Sequence, residues 1–429
     1  MRRWCVALPV LALAAAGCTQ TPRSSPIPAA APSQEVTYGT QVPLPEMART
    51  ATLGPVAASP RECVPPSLKV DQMRPVRGSG WTTLSTDPAS KRFEHPSVAP
   101  DGAVWVQSWR RLDGLSEVRR WDGRAWRGFP RQPIGPGSFD GVYALVADSA
   151  GRAWAAGVTA PSAEETGTGI QRAFLGTFED GRWRDVVFTS PEARGLSWSD
   201  VITGGPGTVA IGQVLLLQEG GVWHSHRMPE GTAITAVDGA GENVWVLLRG
   251  EGRDAVLRRE GRDWRRLDLP KPGGRALGSS PDFVLTDVAV AGRDDAWVVG
   301  YAGWDMDNED YEDQPRRSRP VLLHWNGSSW RCSWGPMHRT FEQAELDGRG
   351  GLWVLSDEEY KADELWHLSG ERWTRERLPA AKGRHAYSIQ LVRRPGSDEV
   401  YAIGFLSKEL DMDGTDDPNG IAALWRTKS

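Results

Sequence analysis

Ala233-Ile234-Thr235-Ala236-Val237, Val244-Trp245-Val246, Glu260-Gly261 and Trp264 follow one another along a single stretch of the chain. The first two are short extended runs, and the second is centred on an aromatic. A tight glycine turn and a closing tryptophan come after. Alternation with period two belongs to strands, and a dipeptide ending in Gly supplies the positive φ that a two-residue hairpin requires. The stretch therefore reads as one small antiparallel sheet that ends in a hairpin.

The same order recurs on both sides. The aromatic strand reappears as Val104-Trp105-Val106, Ala153-Trp154-Ala155, Ala296-Trp297-Val298, Leu352-Trp353-Val354 and Val400-Tyr401-Ala402. Val209-Ala210-Ile211-Gly212 fills one further slot without its aromatic. Trp126, Trp183, Trp223, Trp330 and Trp373 repeat the closing tryptophan, each behind a turn such as Asp122-Gly123 or Asn326-Gly327. Four strands in a unit of about fifty residues is the period of propeller blades. Helical spacing of apolar residues is almost absent, and 48 glycines fit a chain of turns and strands.

Seven aromatic slots but six closing tryptophans leave the last unit short. It stops at Ala423-Leu424-Trp425-Arg426, while Gly80-Trp81-Thr82-Thr83 near the other end has no unit of its own. Pairing the two closes the ring and removes exposed edges. The expected fold is all-β: a seven-bladed β-propeller of four-stranded antiparallel blades over residues 81–429, closed by its N-terminal strand. The repeat resembles the tryptophan-rich propeller repeats of secreted bacterial proteins, akin to kelch and WD40 repeats in architecture. That resemblance implies the fold alone, since such propellers serve as binding platforms, enzymes and scaffolds.

The N-terminus carries a different message. Arg2 and Arg3 precede a short apolar stretch from Val6 to Ala16, as in a signal peptide, here residues 1–17. Ala15-Ala16-Gly17-Cys18 resembles the lipobox of bacterial lipoproteins, with Ala15 where leucine is commonest. The resemblance implies acylation of Cys18 and attachment to the outer, extracytoplasmic face of the cell membrane; secretion into the medium is the alternative. Residues 18–80 are rich in Pro, Ala and Ser and read as a mostly disordered tether. Cys63 and Cys332 are the remaining cysteines of a mature, exported chain and are expected to form a disulfide.

No catalytic motif stands out. The formal net charge of −5 and the lack of a basic stripe argue against nucleic acid. HExxH, GxSxG and P-loop patterns are absent from the sequence. His324 and His367 share one repeat position, and His224 and His226 share one strand face without an evident third metal ligand. Trp109, Trp198, Trp304 and Trp334 fall off the repeat grid and are candidates for exposed contacts.

Two acidic insertions depart from blade economy. One holds Asp305, Asp307, Glu309 and Asp310; the other holds Asp411, Asp413, Asp416 and Asp417. Neither matches the EF-hand spacing, so Ca²⁺ is one possible occupant, a cationic partner another, and a solvated acidic face the simplest. The leading expectation is a lipid-anchored, monomeric binding or scaffold module for an envelope protein or glycan. The alternative is a lyase or hydrolase acting on a sugar or small molecule at the central pocket. For it, His95, Asp287, Glu342 and Gln390 are the inner-strand residues to inspect.

Overall fold

The computed structural model describes residues 40–45, 47–50, 62–63, 74–75, 80–112, 116–129, 140–159, 171–197, 200–205, 207–250, 254–271, 273, 282–304, 317–335, 339–357, 364–370, 372–408 and 419–428. It is a seven-bladed β-propeller. Blade one runs Ser90–Val98, Val104–Arg110, Ser116–Trp121 and Trp126–Phe129, from the inner strand outward. Blade two runs Asp140–Ser149, Arg152–Thr159, Arg172–Glu179 and Arg182–Phe188; blade three runs Val201–Gly205, Thr208–Ile211, Val214–Glu219 and Val222–Arg227. Blade four comprises Thr232–Asp238, Trp245–Gly250, Ala255–Glu260 and Asp263–Leu267. Blade five comprises Asp282–Gly292, Asp295–Trp304, Arg317–Trp325 and Trp330–Trp334, and blade six Thr340–Leu346, Leu352–Asp357, Glu364–Ser369 and Arg372–Glu376. In blade seven, His385–Arg393, Val400–Ser407 and Ile421–Thr427 are completed by Trp81–Asp87, with Leu424 opposite Ser85 and Thr427 opposite Trp81. The two orphan segments of the sequence are thus one strand pair.

The core lies between blades. Side chains alternate along each second strand, so Val104 and Val106 pack against blade seven while Trp105 packs against blade two. Each of the seven joints has an apolar cluster of this kind. Trp105 and Trp245 are fully buried in theirs. Opposite the second-strand aromatic, the third strand supplies a planar side chain that covers it: Arg120 over Trp105, Arg258 over Trp245, His324 stacked on Trp297 at 3.6 Å and His367 stacked on Trp353 at 4.1 Å. The shared position of the two histidines is therefore a packing position. His324 Nε2 lies 2.7 Å from Asp295 and His367 Nε2 lies 2.9 Å from Asp347.

The described parts of the segment before Trp81 lie along the outer rim. Thr40–Val42 adds parallel to the outer strand of blade two, Met47–Thr50 to that of blade three, and Arg74–Pro75 to that of blade six. Between them, Cys63 N–H donates to Lys271 O at 2.8 Å, and Cys63 is disulfide-bonded to Cys332 on the outer strand of blade five. These described parts fall at blades two, three, four–five and six in ring order, ahead of Trp81 in blade seven. The segment's poverty in apolar residues points away from a core of its own; among its described residues Val42 and Leu44 pack against the blade two–three joint and Cys63 is buried at the blade four–five joint. Edge addition is satisfied by backbone hydrogen bonds, which a Pro/Ala/Ser-rich sequence can still supply. The expected signal peptide, 1–17, and residues 18–39, 46, 51–61, 64–73 and 76–79 of the expected tether lie outside the described residues.

Candidate functional site

Inner strands line the central channel, and a bulge interrupts their pairing with the second strand. In blades two, four, five, six and seven the extra residue is Tyr143, Thr235, Thr286, Glu342 or Ile389; in blade one His95 and Pro96 together stand opposite the single residue Val106. Bulges bend a strand and re-aim side chains. Val142, Ala144, Leu285, Phe341 and Ser388 beside them are buried, whereas the bulge residues keep solvent access. On the second strand, glycine recurs where the bulge presses in: a Cβ on Gly157 would overlap Gly141 O, and one on Gly404 would overlap Tyr387 O.

The residue after the bulge reaches sideways. Asp287 Oδ2 of blade five accepts Ala344 N–H of blade six at 3.0 Å, and Gln343 Oε1 of blade six accepts Leu391 N–H of blade seven at 2.7 Å. Gln390 Oε1 of blade seven accepts His95 N–H of blade one at 2.5 Å. A second tier lies further along the strands. Asp238 Oδ2 accepts Val290 N–H at 2.7 Å, and Ser97 Oγ accepts Ala147 N–H at 2.8 Å. Glu345 accepts the backbone N–H of Arg393. These side chains staple the blades in succession from four through seven and one to two, where a bulge would otherwise leave inner-strand N–H groups unpaired.

Three of the staples are acids on consecutive blades. Asp238, Asp287 and Glu345 keep some access to the channel, but protein encloses them in nearly every other direction. Burial pushes Asp238 up to about 6, against the pull of the Val290 and Gly239 N–H groups and of Arg393. Asp287 rises to about 7 for the same reason, helped by the charge of Asp238. Glu345 rises to about 8 through burial and then through Asp238, although Arg393 Nε lies 4.0 Å from its carboxylate. Close carboxyls in a poorly solvated place resist ionising together.

The opposite arc, blades seven, one and two, carries a different set. Glu94 accepts from Trp109 Nε1 and pairs with Arg92 Nε at 2.8 Å, while the Arg92 guanidinium lies 5.3 Å from the Trp109 ring centre. The His95 ring meets Tyr143 edge-on at 5.9 Å. Burial lowers the His95 pKa, and burial followed by the charge of Glu94 raises that of Tyr143, so both rings are neutral near pH 7.

Of the four residues singled out from sequence, Asp287 and Gln390 are staples, His95 and Gln390 meet at one joint, and Glu342 is exposed at its bulge. Asp238, Glu345, Glu94 and Tyr143 were missed. A shared register would have found Glu94: with Asp287, Gln343 and Gln390 it stands opposite the residue two after the second-strand aromatic. Asp305, Asp307, Glu309, Asp310, Asp411, Asp413, Asp416, Asp417 and Cys18 lie outside the described residues. No group of three or more metal-ligating side chains occurs among the described residues.

No family model matches the chain, and no curated protein matches its sequence. Solved structures match at low similarity. A prolyl endopeptidase is 13% identical with a TM-score of 0.42, over 79% of this chain, which spans about half (50%) of that one. The α-L-arabinofuranosidase of Fusarium graminearum is 10% identical with a TM-score of 0.39, over 81% of this chain and 98% of the other. The Aleuria aurantia lectin is 12% identical with a TM-score of 0.35, over 70% of this chain and 100% of its own.

Proposed function

We propose that the protein is an exported propeller, acylated at Cys18 and held at the outer face of the cell membrane, that binds a cationic partner or a cation-bridged one. The observation that carries the binding reading over a catalytic one is the use made of the channel acids. Asp238, Asp287 and Glu345 have the perturbed acidity expected of catalytic groups, yet each spends an oxygen on a backbone N–H of the next blade. They hold a rigid ring together.

A rigid ring suits display on its faces. The second and third strands of blades five, six and seven end at Trp304 and Arg317, Asp357 and Glu364, and Ser407 and Ile421. These three hairpins open on one side of adjacent blades, and the acidic stretches 305–313 and 411–417 belong to two of them. A partner carrying Lys or Arg, or one joined through Ca²⁺, suits that charge.

Crosslinking pull-down from native membranes tests this, with and without chelator, beside a variant whose acids at 305–313 and 411–417 are amidated. Loss of the partner in that variant supports the reading; an unchanged set of partners overturns it. Metabolic labelling with palmitate, abolished by Cys18→Ser together with release into the medium, tests the anchor separately.

A further inference from the structure

Only two non-glycine residues among the described ones have positive φ. Asp180 (φ 53°) belongs to the Asp180-Gly181 hairpin turn, where that geometry is ordinary. His95 (φ 49°) belongs to no hairpin. It stands in the middle of an inner strand, followed by Pro96, at the bulge where these two residues oppose Val106. Left-handed backbone at a non-glycine residue costs energy and persists where the surroundings enforce it, so an outlier of this kind points to function. The enforcement is visible here: Gln390 from blade seven grips the His95 N–H, and Tyr143 from blade two abuts its ring.

The groups gathered around His95 have one chemical character. Imidazole, phenol and the Gln390 amide are all neutral and both donate and accept. The nearest charges, Arg92 and Glu94, are paired with each other. Trp109 offers an aromatic ring beside them. A further observation comes from Gln107, directly opposite Glu94. Its side chain is fully buried, and neither its Nε2 nor its Oε1 has a hydrogen-bond partner. An amide left with both ends unpaired in a protein interior marks a place where a polar guest or water belongs.

We propose that the arc formed by Gln390, His95, Tyr143 and Trp109 at blades seven, one and two is a binding site for a neutral, polyhydroxylated ligand, a saccharide. Vicinal hydroxyls present alternating donors and acceptors that match neutral bifunctional side chains, and the C–H face of a sugar ring packs on an indole. An anionic sugar gains nothing here: Arg92 is already paired, and three carboxyls stand on blades four to six across the channel. This site is separate from the acidic face of blades five to seven, so the two proposals stand or fall on different variants.

The test is calorimetric titration of the full-length protein with chitotriose, mannotriose and cellotriose, and with trigalacturonate as the anionic probe. The variants are His95→Gly, which relieves the positive φ, and Tyr143→Phe, which removes one hydroxyl. Binding of at least one neutral trisaccharide, weakened about tenfold or more in both variants, with His95→Gly melting no lower than wild type, is the expected result. Several results overturn the proposal: no neutral trisaccharide binds, only trigalacturonate binds, affinity survives both substitutions, or His95→Gly melts lower, which would make the histidine a structural residue.

Discussion

Cutting the Cys63–Cys332 disulfide by the double substitution C63A/C332A should lower the melting temperature by several degrees. The two cysteines are 269 residues apart in sequence, and the bond joins the rim segment to the outer strand of blade five. On the loop-entropy relation a closure of that length restrains the unfolded chain by about 5.6 kcal/mol at 25 °C, while native disulfides typically contribute about 2–5. For a body of roughly 350 residues the unfolding entropy is about 0.7 kcal/mol per kelvin, so the shift should be about 3–8 °C. Cys63 is buried in the apolar cluster of the blade four–five joint, beside Trp245, Val256 and Leu267, which ties the rim segment to the cooperative unit. The assay is differential scanning calorimetry of wild type, the double variant and reduced wild type, with the bond verified by mass spectrometry. A shift below about 1 °C with the bond verified would refute the reasoning. It would mean that the rim segment docks and undocks independently of the propeller.

The staples make further predictions. Asp287→Ala leaves the Ala344 N–H without its acceptor and should cost about 1–3 kcal/mol, whereas Asp287→Asn keeps an acceptor and should cost much less; urea unfolding distinguishes them. The folded values of Asp238, Asp287 and Glu345, about 6, 7 and 8, lie above their ordinary values. Their contribution is therefore fully present below about pH 4 and is lost as pH rises through 6 to 8. Thermal melts should accordingly fall from about pH 4 to about pH 8, and the triple amide variant should flatten that limb. His226 works in the opposite sense. Burial against Trp264, then Arg259, lowers its pKa, and neither ring nitrogen has a hydrogen-bond partner. Its neutral form is favoured in the fold, so stability should fall as pH drops below 6.5, and His226→Phe should reduce that acid-side loss in the same melts.

The ring was legible because propeller architecture is written in repeated, local signals. Trp105, Trp245 and Trp353 announce the second strands, and Asp122-Gly123 or Asn326-Gly327 announces the last hairpin of a blade. Even the closure was readable, since Trp81 and Leu424 were each left over by the count. The channel was less so. A staple such as Asp238–Val290 joins positions in different blades, and no motif links them in sequence. Glu94 and Tyr143 look like ordinary polar residues of a strand until the bulge shows which of them faces the channel. The rim segment was obscured for a different reason: pairing along an outer edge uses backbone groups, which composition does not record.

Stapling by itself does not explain why the channel is acidic on one arc. Gln343 and Gln390 accept inter-blade N–H groups as Asp287 does, without charge, and Ser97 does so with a hydroxyl. A chain selected only for a stable ring could have used amides throughout and escaped the burial of carboxyls that raises three pKa values. Instead the carboxyls are concentrated on blades four, five and six, and the neutral staples close the joints from six through seven and one to two. The channel therefore has a polarity across its width. A guest resting on the neutral side at His95 and Tyr143 would face Asp238, Asp287 and Glu345 over the channel, where its hydroxyls could donate to carboxylates. The carboxyls then form a second wall of the same channel, retained at some expense in stability because near neutral pH they offer a ligand both an ionised acceptor at Asp238 and a protonated donor at Glu345, which a ring made only of amides would not.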